Sequence, residues 1–297
     1  MFSHLLVPLD GSQLAESALP ATSYIAQTLM IPITLVHIIE EDPPQAIHGE
    51  PHLSNEKDAQ TYLAKIAQTF PAGIQVDTHI HTRAVKDVPQ SIVSHVDELE
   101  SDLILMCTHG RGGLRSMFFG SIAQQVINLG KTPVLLIQPR QSQVPPEFNC
   151  RRLLVPLDGN PEHEHGLAIA ANMAQVCKAS IHLLMVVATL GTISKKQSAT
   201  ARFLPGATSL MLDFTQQGGL DYLEIQEPKL LAKGISVHGD VQRGDPAKVI
   251  EETAKQIHAD LIVLGTHGKT HMDAFWSESL TPRISRKTRL PLLLVPV

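Results

Sequence analysis

THGRGGLRSMFFGSIAQQVI, Thr108–Ile127, begins with three glycines directly behind an apolar run and ends in an apolar segment with helical spacing. Gly110, Gly112 and Gly113 leave backbone N–H groups unshielded and admit positive φ. Gly120-Ser121 stand where the second regular segment opens, and a helix start offers unpaired N–H donors and a partial positive charge. Loop amides beside a helix N-terminus make an anion site, with phosphate the usual occupant. The stretch therefore predicts strand, glycine loop, helix. Later the chain reads LIVLGTHGKTHMDAFWSESL, Leu261–Leu280, with Glu278 where Gly120 would fall.

That echo is part of a repeat. HLLVPLDGSQLAESAL at His4–Leu19 matches RLLVPLDGNPEHEHGL at Arg152–Leu167, and ITLVHII at Ile33–Ile39 matches IHLLMVV at Ile181–Val187. SDLILMCTHGRG matches ADLIVLGTHGKT, and KTPVLLIQP matches RLPLLLVPV. The spacing grows from 148 to 158 between the early and late matches, so copy two carries about ten extra residues in its middle. A period near 150 residues means two duplicated domains, not a solenoid. They are expected over residues 1–140 and 150–297, joined by the short polar stretch RQSQVPPEFNC.

Within each copy, apolar runs of four to six residues alternate with amphipathic stretches. Near-continuous apolar strands between helices imply a parallel sheet covered on both faces. The fold class is α/β, two doubly wound domains, each a five-stranded parallel sheet with helices on both faces. IQVDTHIHT alternates and reads as an edge strand. Pro20 lies inside the first helical pattern and should interrupt it. SIAQQVINLG should end on Gly130 as a left-handed cap. Ligands of such sheets sit beyond the strands' carboxyl ends, where the winding reverses. PLDGS and CTHGRGG, then PLDGN and GTHGKTH, should meet there.

The whole chain narrows the function. It has 297 residues, 43% hydrophobic and 4% aromatic, so its cores are aliphatic. Three cysteines suit a reducing, cytoplasmic setting rather than a disulfide framework. No apolar run approaches the roughly 20 residues of a membrane span, and the N-terminus shows no secretory pattern. A net charge of −5 argues against duplex nucleic acid as a partner.

LVPLDGS, DLILMCTHGRGG…FFGSIAQQVI and TPVLLIQP resemble the universal stress protein family, and copy two repeats the resemblance, as in a tandem member. The resemblance implies an adenine nucleotide alpha hydrolase-like fold, ATP as ligand with Mg as its companion ion, and a role as a stress-response regulator or sensor. It further implies an intramolecular pseudo-dimer with the last strands at the contact, pairing of whole chains into a homodimer, and an unknown protein partner. The family's ATP-binding members carry G-x2-G-x9-G-[S/T]. Copy one has Cys107 at the first glycine, then Gly110, Gly120 and Ser121; copy two has Gly265 and Gly268, then Glu278 and Ser279. By resemblance the copy-one site comprises Pro8, Asp10, Ile38, Met106, Cys107, Gly110, Gly120, Ser121 and Ile122. Its copy-two counterpart comprises Pro156, Asp158, Val186, Leu264, Gly265, Gly268, Ser279 and Leu280, with Glu278 as the departure.

The two departures differ physically. Cys107 is small and neutral. Glu278 places a carboxylate beside phosphate oxygens, a repulsion of roughly 4 kcal/mol at about 4 Å and an effective dielectric near 20. Arg283, Arg286 or Lys269 are candidates to offset it, and Glu278 is itself a candidate phosphate mimic. Copy one is therefore the expected nucleotide site. Asp10 is suited to a sugar hydroxyl or to Mg, and equally to an ordinary turn; Ser121 is suited to phosphate or to capping. His109 and His267 recur in the two glycine loops. His79 and His81 point to one face of a strand and can chelate, and His163 and His165 are the other candidates, but no carboxylate or cysteine cluster completes a set. No nucleophile–base order, G-x-S-x-G elbow or Walker lysine is present, so no catalytic residue is assigned. The alternatives are a nucleotide-free interaction protein with vestigial pockets and a slow ATP hydrolase.

Overall fold

The computed structural model describes residues 1–47, 50–108, 121–139, 147–160, 164–193, 203–266 and 277–296. They fall into two compact units, the first Met1–Asn149 with Leu290–Pro296, the second Cys150–Arg289. In chain order the first holds β1 (Leu5–Pro8), α1 (Gln13–Glu16), α2 (Leu19–Leu29), β2 (Ile33–Glu40), β3 (Ala46–Ile47), β4 (Glu50–Pro51), α3 (Glu56–Ala67), β5 (Val76–Val85), α4 (Val88–Glu98), β6 (Leu103–Cys107), α5 (Ser121–Leu129) and β7 (Val134–Ile137). The second holds β8 (Arg152–Leu157), α6 (His165–Cys177), β9 (Ser180–Val187), α7 (Pro205–Leu231), β10 (Val237–Arg243), α8 (Pro246–Gln256), β11 (Leu261–Thr266) and α9 (Ser277–Lys287). The last strand, β12 (Leu292–Pro296), groups with the first unit, antiparallel to β7 with Leu292 opposite Leu136 and Leu294 opposite Val134.

In the first unit the strand order is β12-β7-β6-β1-β2-β5, and the five strands of copy one are mutually parallel. In the second it is β10-β9-β8-β11, again parallel. Both show the expected doubly wound α/β order, with the reversal between β1 and β6 and between β8 and β11. Right-handed crossovers then put α2 and α3 on one face of the first sheet, α4 and α5 on the other. The aliphatic strands explain the core: all eight residues of β2 are buried, as are Leu103–Cys107 and Val134–Ile137. β5, the strand with alternating sequence, is the edge and is partly exposed.

Three local readings meet the structure differently. Pro20 interrupts the first helical pattern as expected: α1 stops at Glu16 and α2 restarts with Pro20 in its first turn, where no N–H is needed. Gly130 does follow the last residue of α5, but its φ is not positive. Left-handed caps stand instead at Met30 after α2 (φ 56°) and Lys178 after α6 (φ 53°), at matching places in the two copies, and left-handed residues also follow the ends of α4 at Glu100 and of α8 at His258. The longer middle of copy two is largely helix. It is the 27-residue α7 where copy one has the 12-residue α3. α7 packs on the sheet at Gly219, where a Cβ would sit 3.4 Å from the Val241 methyls, in ordinary contact.

Candidate nucleotide crevice

In the first unit, β1 and β6 end side by side, and the chain leaves β1 in a tight turn. Leu9 N–H donates to the Val36 carbonyl at 2.9 Å, and Thr108 N–H to that of Ile137 at 3.0 Å. These bonds carry each strand's alignment past its end. Asp10 follows with its Oδ1 accepting from Ser12 N–H at 2.9 Å and from the Ser12 hydroxyl at 2.7 Å. Ser12 in turn caps α1 through Ala15 N–H. Asp10 thus is a turn residue, and only one of its two carboxylate oxygens is spent on the turn. Among the described residues Oδ2 accepts no hydrogen bond, and Asp10 is only half-buried.

The sequence-predicted residues occupy this crevice in part. Pro8 closes β1, Met106 and Cys107 close β6, and Ile38 sits near the end of β2, opposite His81. Ser121 is the first residue of α5 and Ile122 the second. Gly110, Gly120 and His109 lie outside the described residues, as do Gly268, His267 and His163. In the second unit, Pro156 lies in β8, Val186 in β9, and Leu264 and Gly265 in β11. Asp158 repeats the turn of Asp10, accepting from Asn160 N–H at 3.0 Å. Here α9 begins at Ser277, so Glu278 and Ser279 are its second and third residues, and Leu280 is buried. Arg283, a candidate to offset Glu278, instead pairs with Asp245 at 2.5 Å, and Lys287 reaches Glu251 at 3.5 Å. Gly166 of α6 packs on this strand end, where a Cβ would lie 3.3 Å from the Gly265 nitrogen.

Sequence reasoning missed the segment that follows β2. The register of β2 against β5 shifts between Ile38 and Glu40, an irregularity of the kind that re-aims side chains beside sites. Buried His37 holds this strand end to its neighbours, Nδ1 at 2.8 Å from the Leu9 carbonyl and Nε2 at 2.9 Å from that of Leu53. Leu53 so lies on Gly11, whose φ of 89° forbids an ordinary side chain; a Cβ would stand 2.7 Å from Leu53 Cγ. His52 is buried next to it, its Nε2 3.7 Å from Glu40 Oε1. Burial, and then the neighbouring His37, lower the His52 pKa below its ordinary value, with Asp10 opposing. Copy two has Met185 at the position of His37, and its methyl faces Gly159, φ 79°. Nothing in the pattern EDPPQAIHGEPHLSN announces the clamp, because His37 reads as one more buried strand position.

The second unit has a polar tie of its own. Tyr222 and Gln226 of α7 donate to Glu164 Oε1, at 2.9 and 2.7 Å, at the start of α6. Burial, then the bond to Glu164, push the Tyr222 hydroxyl well above its ordinary pKa, so it stays a donor at neutral pH. No disulfide joins the three cysteines, and the hydrogen bond with the Cys177 thiol, then burial, push the Cys150 thiol far up. Among the described residues no helix is long and apolar enough to cross a membrane.

The duplicated crevices can be set beside known proteins. The chain is 20% identical over 308 residues to a universal stress protein of Mycobacterium tuberculosis, covering 98% of this chain and 96% of that one. Its fold is similar to that of a universal stress protein from Archaeoglobus fulgidus (TM-score 0.68, 18% identity, 99% of this chain and 98% of that one). A universal stress protein from Pseudomonas aeruginosa is also similar (TM-score 0.65, 18% identity, 99% and 93%). The model of the universal stress protein family matches twice, over residues 1–138 and 149–296. The chain belongs to the universal stress protein family, as a tandem of two such domains.

Proposed function

We propose that the chain binds an adenine nucleotide, ATP with Mg, chiefly in the copy-one crevice, and acts as a sensor or regulator in a stress response. The observation that carries this reading is the meeting of β1 and β6 at the reversal of the sheet. There Asp10 keeps one carboxylate oxygen for a ligand, and α5 starts at Ser121 directly behind the glycine stretch. Loop amides and the helix start suit phosphates. Asp10 suits a ribose hydroxyl or Mg, and the ends of β2 and β6, with Ile38 and Met106, suit an apolar base. Binding would shift the population of a conformation that a protein partner reads. The protein works in the cytoplasm and turns the nucleotide over slowly, in keeping with a sequence that has no nucleophile–base order and no Walker lysine.

One observation favours a second reading, a nucleotide-free interaction protein: Leu53 already lies on Gly11 at the mouth of the crevice. Calorimetric titration of the full chain with Mg-ATP separates the two. Saturable binding that Asp10→Asn weakens supports the nucleotide reading. Absence of any heat, together with no nucleotide released on denaturation, supports the scaffold. The full chain is required, because a cut near residue 150 would strip β12 from the first unit.

A further inference from the structure

The edge strand β5 and helix α4 bring together residues that the sequence keeps apart. His79 and His81 are alternate residues and so share one face of β5. His95 and Glu98 are three apart on α4 and so share one face of the helix. The two faces meet: the His95 ring lies 4.7 Å from that of His79 and 5.0 Å from that of His81, centroid to centroid. The carboxylate that His79 and His81 lack in sequence is supplied by the helix.

We propose that His79, His95 and Glu98 form a binding site for a divalent transition-metal ion of the zinc class, with His81 at its margin. One ligand atom from each of the three lies within 4.8 Å of the others. Zn–N bonds of about 2.0–2.1 Å set tetrahedral ligand separations near ~3.4 Å, so a closure of under about 1.5 Å completes the set. Glu98 has room for that movement, its side chain being 61% exposed, and its Oε2 already lies 3.8 Å from His95 Nε2.

The ring of His95 is the second, independent observation. It is 3% exposed, and its Nδ1 lies 2.7 Å from the Ser91 carbonyl, which only accepts. The proton therefore sits on Nδ1, and Nε2 turns a lone pair toward His79 and Glu98. That Nε2 is buried and has no hydrogen-bond partner. Leaving such an atom unsatisfied costs about 1–3 kcal/mol, and a metal ion removes the deficit. A histidine that donates its other nitrogen to a backbone carbonyl has the orientation metal ligands usually show. Two or three imidazoles with one carboxylate suit zinc and its neighbours, not the all-oxygen shells of Mg or Ca.

Copy two supplies an internal control. Strand register places Asp240 and Gln242 where copy one has His79 and His81, since they face Leu184 and Val186 as the histidines face Val36 and Ile38. Counting eight and eleven residues from the capping aspartates Asp87 and Asp245 places Thr253 at His95 and Gln256 at Glu98. Gln242 donates to Asp240 there, and no imidazole is present among the four.

The test is zinc binding to the full chain in competition with a colorimetric chelator, with Co(II) absorption as a second reading. His79→Asn and Glu98→Gln alter partly exposed side chains, and far-UV circular dichroism checks their folds. Each should weaken the tightest zinc equivalent at least about tenfold, the loss that removing even an outer partner produces, and should change the Co(II) spectrum. Thr253→Val, in the copy whose four matching positions hold no imidazole, should leave both unchanged. Isotherms for His79→Asn and Glu98→Gln that superimpose on the parent's place any bound zinc elsewhere and overturn the proposal, as does a parent chain that takes up no zinc. Mg-ATP binding is measured separately, so failure here leaves the nucleotide reading untouched.

Discussion

Copy one and copy two share a backbone plan yet spend their polar residues differently. Copy one places histidines around its sheet: His37 and His52 beside the first turn, His79 and His81 on the edge strand, and His95 on α4 against them. Copy two places Met185 at the position of His37, gathers its polar contacts on Glu164, Tyr222 and Gln226, and commits Arg283 and Lys287 to Asp245 and Glu251. What both retain is the turn chemistry: an aspartate bonded two residues on and a glycine at positive φ. Duplication therefore preserved what the backbone requires and left the polar side chains around the turn to diverge.

The largest expected difference lies at the helix start behind each glycine stretch. Gly120→Glu installs in copy one the residue copy two carries at that place. If ATP binds in copy one, its affinity should fall about a thousandfold, the consequence of roughly 4 kcal/mol of charge repulsion at an effective dielectric near 20. Glu278→Gly should create or strengthen a second site. Arg283 will not mask the effect, being engaged by Asp245. Calorimetry on the two single variants checks this, and unchanged ATP affinity in Gly120→Glu would contradict the assignment of the site to copy one.

Next come the turn glycines. Gly11→Ala and Gly159→Ala each force an L side chain to positive φ, at about 1–2 kcal/mol. Copy one should lose more. Its new Cβ would meet Leu53 Cγ at 2.7 Å, a branch point tied down by the His37 bond to the Leu53 carbonyl, whereas Gly159 faces only the terminal methyl of Met185 at 3.0 Å. Overpacking of this kind adds about 1–3 kcal/mol. Denaturant unfolding should rank Gly11→Ala below Gly159→Ala, and Leu53→Ala should narrow the gap.

These cases show which features could be read from the chain. The sheet was legible because strands buried on both faces must be written in continuous aliphatic runs, as LILMC and LIVLG are. The turns were legible because positive φ leaves few residue choices. The clamp formed by His37 was not, since a buried strand histidine has no local signature. The cluster on β5 was half legible: HIH showed the pair, while His95 and Glu98 depend on how α4 crosses the sheet. The left-handed cap was expected at Gly130 and found at Met30 and Lys178, where the following bond to the helix fixes φ regardless of side chain.

A third contrast appears on acidification. His52, His79 and His81 of the first unit all have pKa values lowered chiefly by burial; in the second unit His182 does. A histidine depressed on folding binds fewer protons folded than unfolded. Its stabilising contribution is thus complete above the unfolded value of about 6.5 and is lost as pH falls toward the depressed one. Hydrogen exchange read by peptide between pH 7.5 and 5 should show the first unit weakening more than the second. His52→Gln should flatten part of that slope; an equal loss in both units would remove the distinction.

The smallest effect should be the same in both copies. Met30 and Lys178 end α2 and α6 in the left-handed region, and the next residues, Ile31 and Ala179, bond back to Ala26 and Ala174 at 3.1 and 2.8 Å. Those bonds hold the backbone in place, so a side chain there is carried against its preference. Met30 is 90% exposed, so its removal sacrifices almost no packing. Glycine relieves the strain of about 1–2 kcal/mol but loses more chain entropy on folding, about 0.5–1 kcal/mol. Met30→Gly and Lys178→Gly should each stabilise by the remainder, about 0.5–1 kcal/mol. Matching gains in thermal unfolding would mark the cap as inherited geometry, whereas a gain confined to one copy would show that the strain is relieved locally in the other.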